Sequence, residues 1–360
     1  MANNKLTRPW HGVPREEIPW YPVIDVDACI GCGTCVTSCG RDVYRFDFEA
    51  KKAVVANPMN CMVACQTCAN TCPSRAISFP AEDDILRMED LVVVHHSVED
   101  ELLSRREQLE VDSGLPRGDL VHLQVTKIEQ VGEGIRIFTL GPVSEADRLC
   151  QFVPGQYLEI AVPDSNFMAR AYSIANAPRS DDTLELQIRR VEGGRLSTWA
   201  FDSAHEGEVL QARGPLGAFT MRSPVDRPLA FVARGTGFAP IKSLLEQQVK
   251  MLPQRPMLLF WGATSSDDFY ELDQMATLMG RAPNLRVTLV ARRFAPDFLP
   301  PEGAGLATGR LSDALAASGL DLSGFDAYLA GPRLTVTDCL VALRGLGVEE
   351  DRLFADSMST

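Results

Sequence analysis

No stretch of the chain approaches the roughly 18 consecutive apolar residues that a membrane-spanning helix requires. The first ten residues, M-A-N-N-K-L-T-R-P-W, hold no apolar centre of a secretory leader. These absences predict a chain with neither a membrane span nor a signal peptide, placed in the reducing cytoplasm where thiols stay free. Basic charge is also short, with 35 Lys and Arg against 48 Asp and Glu, a net charge of −13. The acidic excess runs along the whole length, so the surface repels phosphate backbones and nucleic acid is excluded as a partner. Histidine is scarce, and the adjacent His95 and His96 have no cysteine or further histidine at metal spacing, so they read as surface or linker residues. No repeat or low-complexity tract is present beyond a pair of cysteine runs.

Those runs are what the chain has in abundance. Eight of its ten cysteines fall between Cys29 and Cys72, in C-I-G-C-G-T-C-V-T-S-C and C-M-V-A-C-Q-T-C-A-N-T-C-P. Three thiolates at short spacing wrap three corners of an iron–sulfur cube, and a fourth, held away from them by three residues, is placed to bind a different cube. The spacing therefore predicts two crossed sets: Cys29, Cys32, Cys35 and Cys72 for one cluster, and Cys61, Cys65, Cys68 and Cys39 for the other. Zinc favours two separated C-x2-C pairs closing a tetrahedron, and disulfides need an oxidising compartment. The segment from about Pro22 to Pro80 resembles bacterial ferredoxins with two [4Fe-4S] clusters. It departs from them where the second run opens C-x3-C and where Gly40, rather than proline, follows Cys39.

At 360 residues the chain has room for two or three domains with their own cores. Residues 1-90 form the two-cluster ferredoxin-like part. They include a Trp- and Pro-rich arm over residues 1 to 22 that suits an extended segment lying on another surface, with no chemistry assigned. V-I-D-V before the first run and A-I-S-F after the second read as short paired strands. Residues 91-117 read as a connector, with a charged helix starting near Ser97 and stopped by Gly114 and Pro116. Residues 118-224 turn to short alternating strands (L-V-H-L-Q-V-T-K-I, I-R-I-F-T-L, Y-L-E-I-A-V, L-E-L-Q-I-R-R-V), the pattern of an antiparallel β-barrel. Residues 225-360 alternate near-continuous apolar strands with helical stretches, which implies a parallel sheet covered on both faces, a nucleotide-binding style of α/β domain. The expected fold is thus multidomain, α+β and α/β.

Within the barrel, Arg170, Tyr172 and Ser173 end one strand. Arginine holds a phosphate bidentately, and a tyrosine ring stacks on a flat heterocycle. G-G-R-L-S-T, with Gly194, Ser197 and Thr198, opens a helix whose free N–H groups favour an anion. In the last segment Gly235, Thr236 and Gly237 follow an apolar strand and precede a helix with Pro240 near its start, the strand-turn-helix context in which a backbone approaches a pyrophosphate. The motifs R-A-Y-S, G-G-R-L-S-T, G-P-L-G-A-F, G-T-G-F-A-P and Y-L-A-G-P resemble, in that order, the ferredoxin–NADP reductase family over about Leu120 to Met358. The resemblance implies FAD in the barrel, with Arg170 on its pyrophosphate, Tyr172 against the isoalloxazine, Ser173 near N5, and Gly194, Ser197 and Thr198 on phosphate. It also implies NAD(P)H pyrophosphate at Gly235–Gly237, and Gly331 and Pro332 near the nicotinamide. Met358 stands where the family usually covers the flavin with an aromatic residue. Ala330 stands where many relatives carry cysteine, and Arg234 where a small residue is usual. Arg292 and Arg293 close a strand near where NADP-using relatives hold the 2′-phosphate, a lean toward NADPH over NADH. Cys150 and Cys339 read as isolated structural thiols.

A hydride carries two electrons and an iron–sulfur cluster accepts one, and a flavin mediates between them. The expected activity is that of an NAD(P)H-dependent flavoprotein reductase, passing electrons through FAD and two [4Fe-4S] clusters to a partner oxygenase or reductase. Two alternatives share the same parts: an electron-transfer subunit of a larger redox complex, and a ferredoxin-to-NAD(P)+ reductase running in reverse.

Overall fold

The computed structural model describes residues 9–11, 13–80, 97–104, 119–132, 134–149, 152–163, 165, 168–224 and 227–358. The chain divides into two compact units, Met1–Val111 and Asp112–Thr360.

In the first unit β1 (Val23–Ile24) pairs antiparallel with β4 (Ile77–Ser78), and β2 (Tyr44–Asp47) with β3 (Lys52–Val55). The helices α1 (Thr34–Ser38) and α2 (Thr67–Asn70) are single turns. With so little regular structure, the core is assembled around the cysteines themselves. Val13, Ile18 and Trp20, each fully buried, pack with Val43, Tyr44, Val63 and Ile77 and with the cysteine side chains. Residues 13–20 of the arm are therefore part of this core, a correction to the expectation of an arm lying on another surface. Its alternation of Trp, Val and Ile is apolar surface that a unit of this size needs to bury. The expected connector helix is present as α3 (Ser97–Ser104). His95, His96, Gly114, Pro116 and Cys150 lie outside the described residues.

The second unit opens with a six-stranded antiparallel sheet made of β5 (Asp119–Gly132), β6 (Ile135–Pro142), β7 (Tyr157–Ala161), β8 (Arg170–Ser173), β9 (Leu184–Arg189) and β10 (Val209–Leu216), in the order β8-β7-β10-β5-β6-β9. Its two edges meet where Ile174 bridges Leu186 and the Ala175 N–H donates to the Glu185 carbonyl at 2.8 Å, closing the sheet into a barrel. Alternation places Leu158, Ile160, Leu184, Leu186 and Leu210 inside. The strand β10 was not foreseen, because Gly214 and Pro215 within it carry turn chemistry. Helix α4 (Arg195–Asp202) follows β9.

The remainder is an all-parallel sheet of β11 (Leu229–Arg234), β12 (Met257–Gly262), β13 (Leu285–Ala291), β14 (Gly305–Thr308), β15 (Asp326–Pro332) and β16 (Leu353–Met358), ordered β14-β13-β12-β11-β15-β16. Between the strands run α5 (Phe238–Met251), α6 (Leu272–Arg281), α7 (Leu311–Ala317) and α8 (Arg333–Gly345). The central strands are buried along almost their whole length, as helices on both faces demand. The edge strands β14 and β16 escaped the sequence reading because β14 is four residues long and mostly exposed, and β16 breaks its apolar run with Asp356 and Ser357. Barrel and parallel sheet are joined by Phe219 packed edge-on against Tyr328, by the Arg222 N–H donating to the Tyr328 hydroxyl at 2.9 Å, and by Lys242 of α5 reaching Glu185 of β9.

Candidate functional site

The first cysteine loop is set by Asp25, whose Oδ1 accepts the N–H groups of Asp27 and Ala28 at 3.0 and 3.1 Å and turns the chain into Cys29. Cys35 then lies on α1 and Cys68 on α2. Cys29, Cys32, Cys35 and Cys72 together line an open pocket whose remaining walls include Ile24, Ile30 and Ala53. Cys72 has thus been brought to the first triplet. Around Cys61 the neighbours are Cys65, Cys68 and Cys39; burial first, and then these thiols, push the Cys61 thiol up to about 12, with Arg15 opposing. Among the described residues none of the cysteines forms a disulfide. Nor do three or more His, Cys, Asp or Glu converge closely enough to hold a single metal ion. Thiols spread around a cavity suit a multi-iron cube better than one tetrahedral ion.

Two residues that the sequence did not single out reach the second set. The Tyr44 hydroxyl donates to Cys68 Sγ at 3.0 Å, and burial, with that contact, raises the phenol well above its ordinary value and keeps it protonated. Arg15, only 3% exposed, donates through Nε and Nη2 to the Cys61 carbonyl at 3.2 and 3.0 Å. A 46-residue separation between Arg15 and Cys61 leaves no local pattern that could have signalled the contact.

On the barrel, β8 pairs with β7 so that Tyr172 lies opposite Leu158 and Arg170 opposite Ile160. Arg170 and Tyr172, two apart, share one face, and Ser173 takes the other. Tyr172 packs partly on the barrel core, and burial pushes its phenol up to about 12, with Arg170 opposing, so the ring is neutral at physiological pH. The Arg170 guanidinium donates to the Met168 carbonyl at 3.2 Å. Gly194 caps α4. Ser197 turns inward, its Oγ bonding the carbonyls of Gly194 and Val191 at 2.9 and 3.1 Å, whereas Thr198 is exposed. The P-G-Q-Y and G-P-L-G-A-F motifs meet at the rim, where Tyr157 pairs with Leu216.

In the parallel sheet the strand order reverses between β11 and β15, the switch point at whose carboxyl ends doubly wound sheets bind ligands. Gly235–Gly237 form a 3₁₀ turn after β11, and Pro240 is the third residue of α5, where no helical N–H is required. The turn lies directly on the A-G-P end of β15. A Cβ on Gly237 would fall 2.3 Å from the Ala330 carbonyl oxygen, and one on Gly331, at φ +151°, 2.9 Å from Arg234 Cβ. Only glycine fits this crossing. Arg234 donates to Thr264 Oγ1 at 3.0 Å, and its pKa is lowered by burial and by the charges of Arg189 and Arg292. Arg292, exposed at the end of β13, therefore belongs to a cluster of three arginines beside the glycine turn. Met358 ends β16 in register with Pro332. Cys339 is fully buried in α8, and burial raises its thiol to about 12, as a structural role requires.

Comparison with known proteins places families on these parts. Residues 28–76 match a 4Fe-4S dicluster domain, 122–221 an oxidoreductase FAD-binding domain, and 231–339 an oxidoreductase NAD-binding domain. The chain is 31% identical over 208 residues to the reductase component (ferredoxin–NAD(P)(+)) of the naphthalene 1,2-dioxygenase system of Pseudomonas putida, covering 58% of this chain and spanning only 60% of that relative's length. It is 31% identical over 246 residues to the CDP-6-deoxy-L-threo-D-glycero-4-hexulose-3-dehydrase reductase of Yersinia pseudotuberculosis, covering 66% of this chain and 71% of the relative. Among solved structures, a cytochrome P450 reductase of Amycolatopsis superposes with a TM-score of 0.58 at 27% identity, over 70% of this chain and 74% of that one. The ferredoxin reductase in carbazole 1,9a-dioxygenase shares the fold, with a TM-score of 0.58 at 22% identity over 69% and 71% of the two chains. With both oxidoreductase domains matched in order behind the cysteine-rich segment, the chain belongs to the ferredoxin reductase family of FAD- and NAD-binding oxidoreductases and carries a 4Fe-4S dicluster domain.

Proposed function

We propose that this chain is an NAD(P)H-dependent flavoprotein reductase that holds FAD and two [4Fe-4S] clusters and supplies electrons from NAD(P)H to a partner oxygenase or reductase. The observation that carries the proposal is the backbone crossing of Gly237 with Ala330 and Gly331 at the sheet switch point. It sets the glycine turn after β11 directly against the carboxyl end of β15, the place where doubly wound sheets bind nucleotides, in the same unit as a barrel presenting Arg170 and Tyr172 on one face. The flavin, when bound, supplies the conversion of a two-electron donor into single electrons.

The chain's own groups have separate tasks. Arg170 neutralises the FAD pyrophosphate, the neutral Tyr172 ring lies against the isoalloxazine, and Ser173 offers a hydrogen bond near N5. Gly194 and the exposed Thr198 take phosphate at the start of α4, while Ser197 supports them by holding the loop closed through its bonds to Val191 and Gly194. Gly235, Thr236 and Gly237 receive the NAD(P)H pyrophosphate, with Pro240 stiffening the helix start behind them. Gly331 and Pro332 border the nicotinamide, and Met358 shields the flavin. Cys29, Cys32, Cys35 and Cys72 hold one cluster, and Cys61, Cys65, Cys68 and Cys39 the other; cluster binding removes the thiol protons that burial otherwise favours. The functional division follows segments 1-90, 91-117, 118-224 and 225-360, and the chain works in the cytoplasm, where its thiols stay reduced.

Arg292, with Arg234 and Arg189 behind it, favours NADPH through its 2′-phosphate. An anaerobic titration with NADH and with NADPH, followed by visible absorbance and electron paramagnetic resonance, tests the whole reading. The expected result is flavin bleaching followed by reduced-cluster signals at close to eight irons per chain, at lower NADPH than NADH. Bleached flavin beside clusters that only dithionite reduces would refute it.

A further inference from the structure

The N-terminal arm carries a buried cation toward the second cysteine set. Arg15 has 3% of its surface exposed, and its partners are the carbonyls of Ile18 at 2.6 Å, of Trp20 and of Cys61, together with the Met59 thioether at 3.9 Å. Among the described residues no carboxylate joins them. A buried cation held by neutral groups is costly unless an anion lies close; the groups whose charge favours Arg15 are Cys61 first and then Glu16, its chain neighbour, with Arg41 opposing. Tyr44 adds a hydroxyl donor aimed at Cys68 Sγ. The first set is built differently: Cys32 is exposed, and the nearby cation, Lys52, bonds the Cys29 and Val26 carbonyls from a partly solvated position.

We propose that Arg15 and Tyr44 are the potential-setting residues of the cluster bound by Cys61, Cys65, Cys68 and Cys39, which makes the arm a working part of the electron path. The inference rests on the two-cluster reading above. Reduction adds one electron, and so one negative charge, to a cluster already ringed by four thiolates. In a buried site that charge is poorly solvated, which disfavours reduction. A fixed guanidinium and a hydroxyl donating to sulfur both stabilise the more negative state and so raise the potential. At the first cluster water supplies the same stabilisation, and no comparable buried charge is needed there. Arg15 thus offsets the burial of the second cluster and keeps it within reach of the electrons that enter the chain.

The test is an anaerobic redox titration of the full-length holoprotein monitored by electron paramagnetic resonance, for wild type, Arg15→Gln and Tyr44→Phe, with iron and acid-labile sulfide assayed on the same samples. Both variants should retain close to eight irons and shift one of the two cluster couples to lower potential. Arg15→Gln should change the electron-sharing constant between clusters tenfold or more, about 59 mV for a one-electron couple, and Tyr44→Phe should change it less but in the same direction. Arg15→Lys should restore part of the shift. If Arg15→Gln loses iron through misfolding, Tyr44→Phe, which removes one oxygen, still decides. Unchanged potentials, equal shifts in both couples, or an upward shift at full iron content would overturn the proposal. Absence of cluster iron in the wild-type protein would instead overturn the two-cluster reading beneath it.

Discussion

Replacing Lys242 by methionine tests what holds the barrel against the parallel sheet. Its ammonium, 1% exposed, lies 2.5 Å from Glu185 of β9, 3.3 Å from Glu246 of α5 and 3.2 Å from Glu271 at the start of α6. Each contact has a gross attraction on the order of 5 kcal/mol at an effective dielectric of about 20, most of it cancelled by the desolvation of the ions. Removing the cation alone leaves three buried carboxylates in mutual repulsion, a loss of about 3–5 kcal/mol. For a unit of this size that corresponds to a fall in melting temperature of about 6–20 °C.

The loss should depend on pH, with a sign that follows from the individual groups. Burial, together with Glu185 and Glu246, holds Glu271 above its ordinary value against the pull of Lys242. The folded state therefore binds more protons than the unfolded chain from the ordinary glutamate range upward, and stability falls as pH rises through that window. Burial opposes charge on Glu185 too, but Lys242 and Arg179 win and hold it low, so its contribution is lost only below the ordinary glutamate range. Lys242 itself, disfavoured by burial but held by Glu271, Glu185 and Glu246, is raised, so its contribution is lost only in strong alkali. Of these three groups Glu271 sets the slope between pH 5 and 8, and without Lys242 it should protonate more readily. Melting temperatures of wild type and Lys242→Met, measured at both values, should differ more at pH 8 than at pH 5, and Glu271→Gln should flatten the slope. A loss below about 1 kcal/mol, or one equal at the two pH values, would refute the buried-cation account.

Arg170→Ala should release flavin, with the flavin-to-protein absorbance ratio falling several-fold, whereas a fully flavinated variant would remove Arg170 from the pyrophosphate. Cys68→Ser should lower iron content by about half and leave NAD(P)H bleaching of the flavin intact by stopped-flow absorbance. Gly237→Ala places a Cβ against the Ala330 carbonyl; it should raise the Kd for NAD(P)H at least tenfold by fluorescence titration while flavin content holds. Arg292→Ala should raise the KM for NADPH severalfold and leave that for NADH unchanged in steady-state assays.

Local chemistry in the sequence determined the cysteine spacing, the period-two strands of the barrel, the apolar strands of the parallel sheet and the strand-turn-helix around Gly235. Each depends on residues within one or two turns of each other, so each is legible without a partner. The edge strands β14 and β16 and the Pro-containing β10 were not legible, because short or turn-like segments become strands only when a neighbouring strand offers its hydrogen bonds. Ser197 reads as a phosphate ligand in the motif, yet its hydroxyl closes its own loop. Tertiary structure alone decided that Arg15 sits on the Cys61 carbonyl, that Tyr44 donates to Cys68, and that one lysine meets three glutamates from β9, α5 and the start of α6. A buried charge is tolerable only where the folded chain gathers its partners, and the deciding ones, Glu185 and Glu271 for Lys242 and Cys61 for Arg15, are tens of residues away in the sequence.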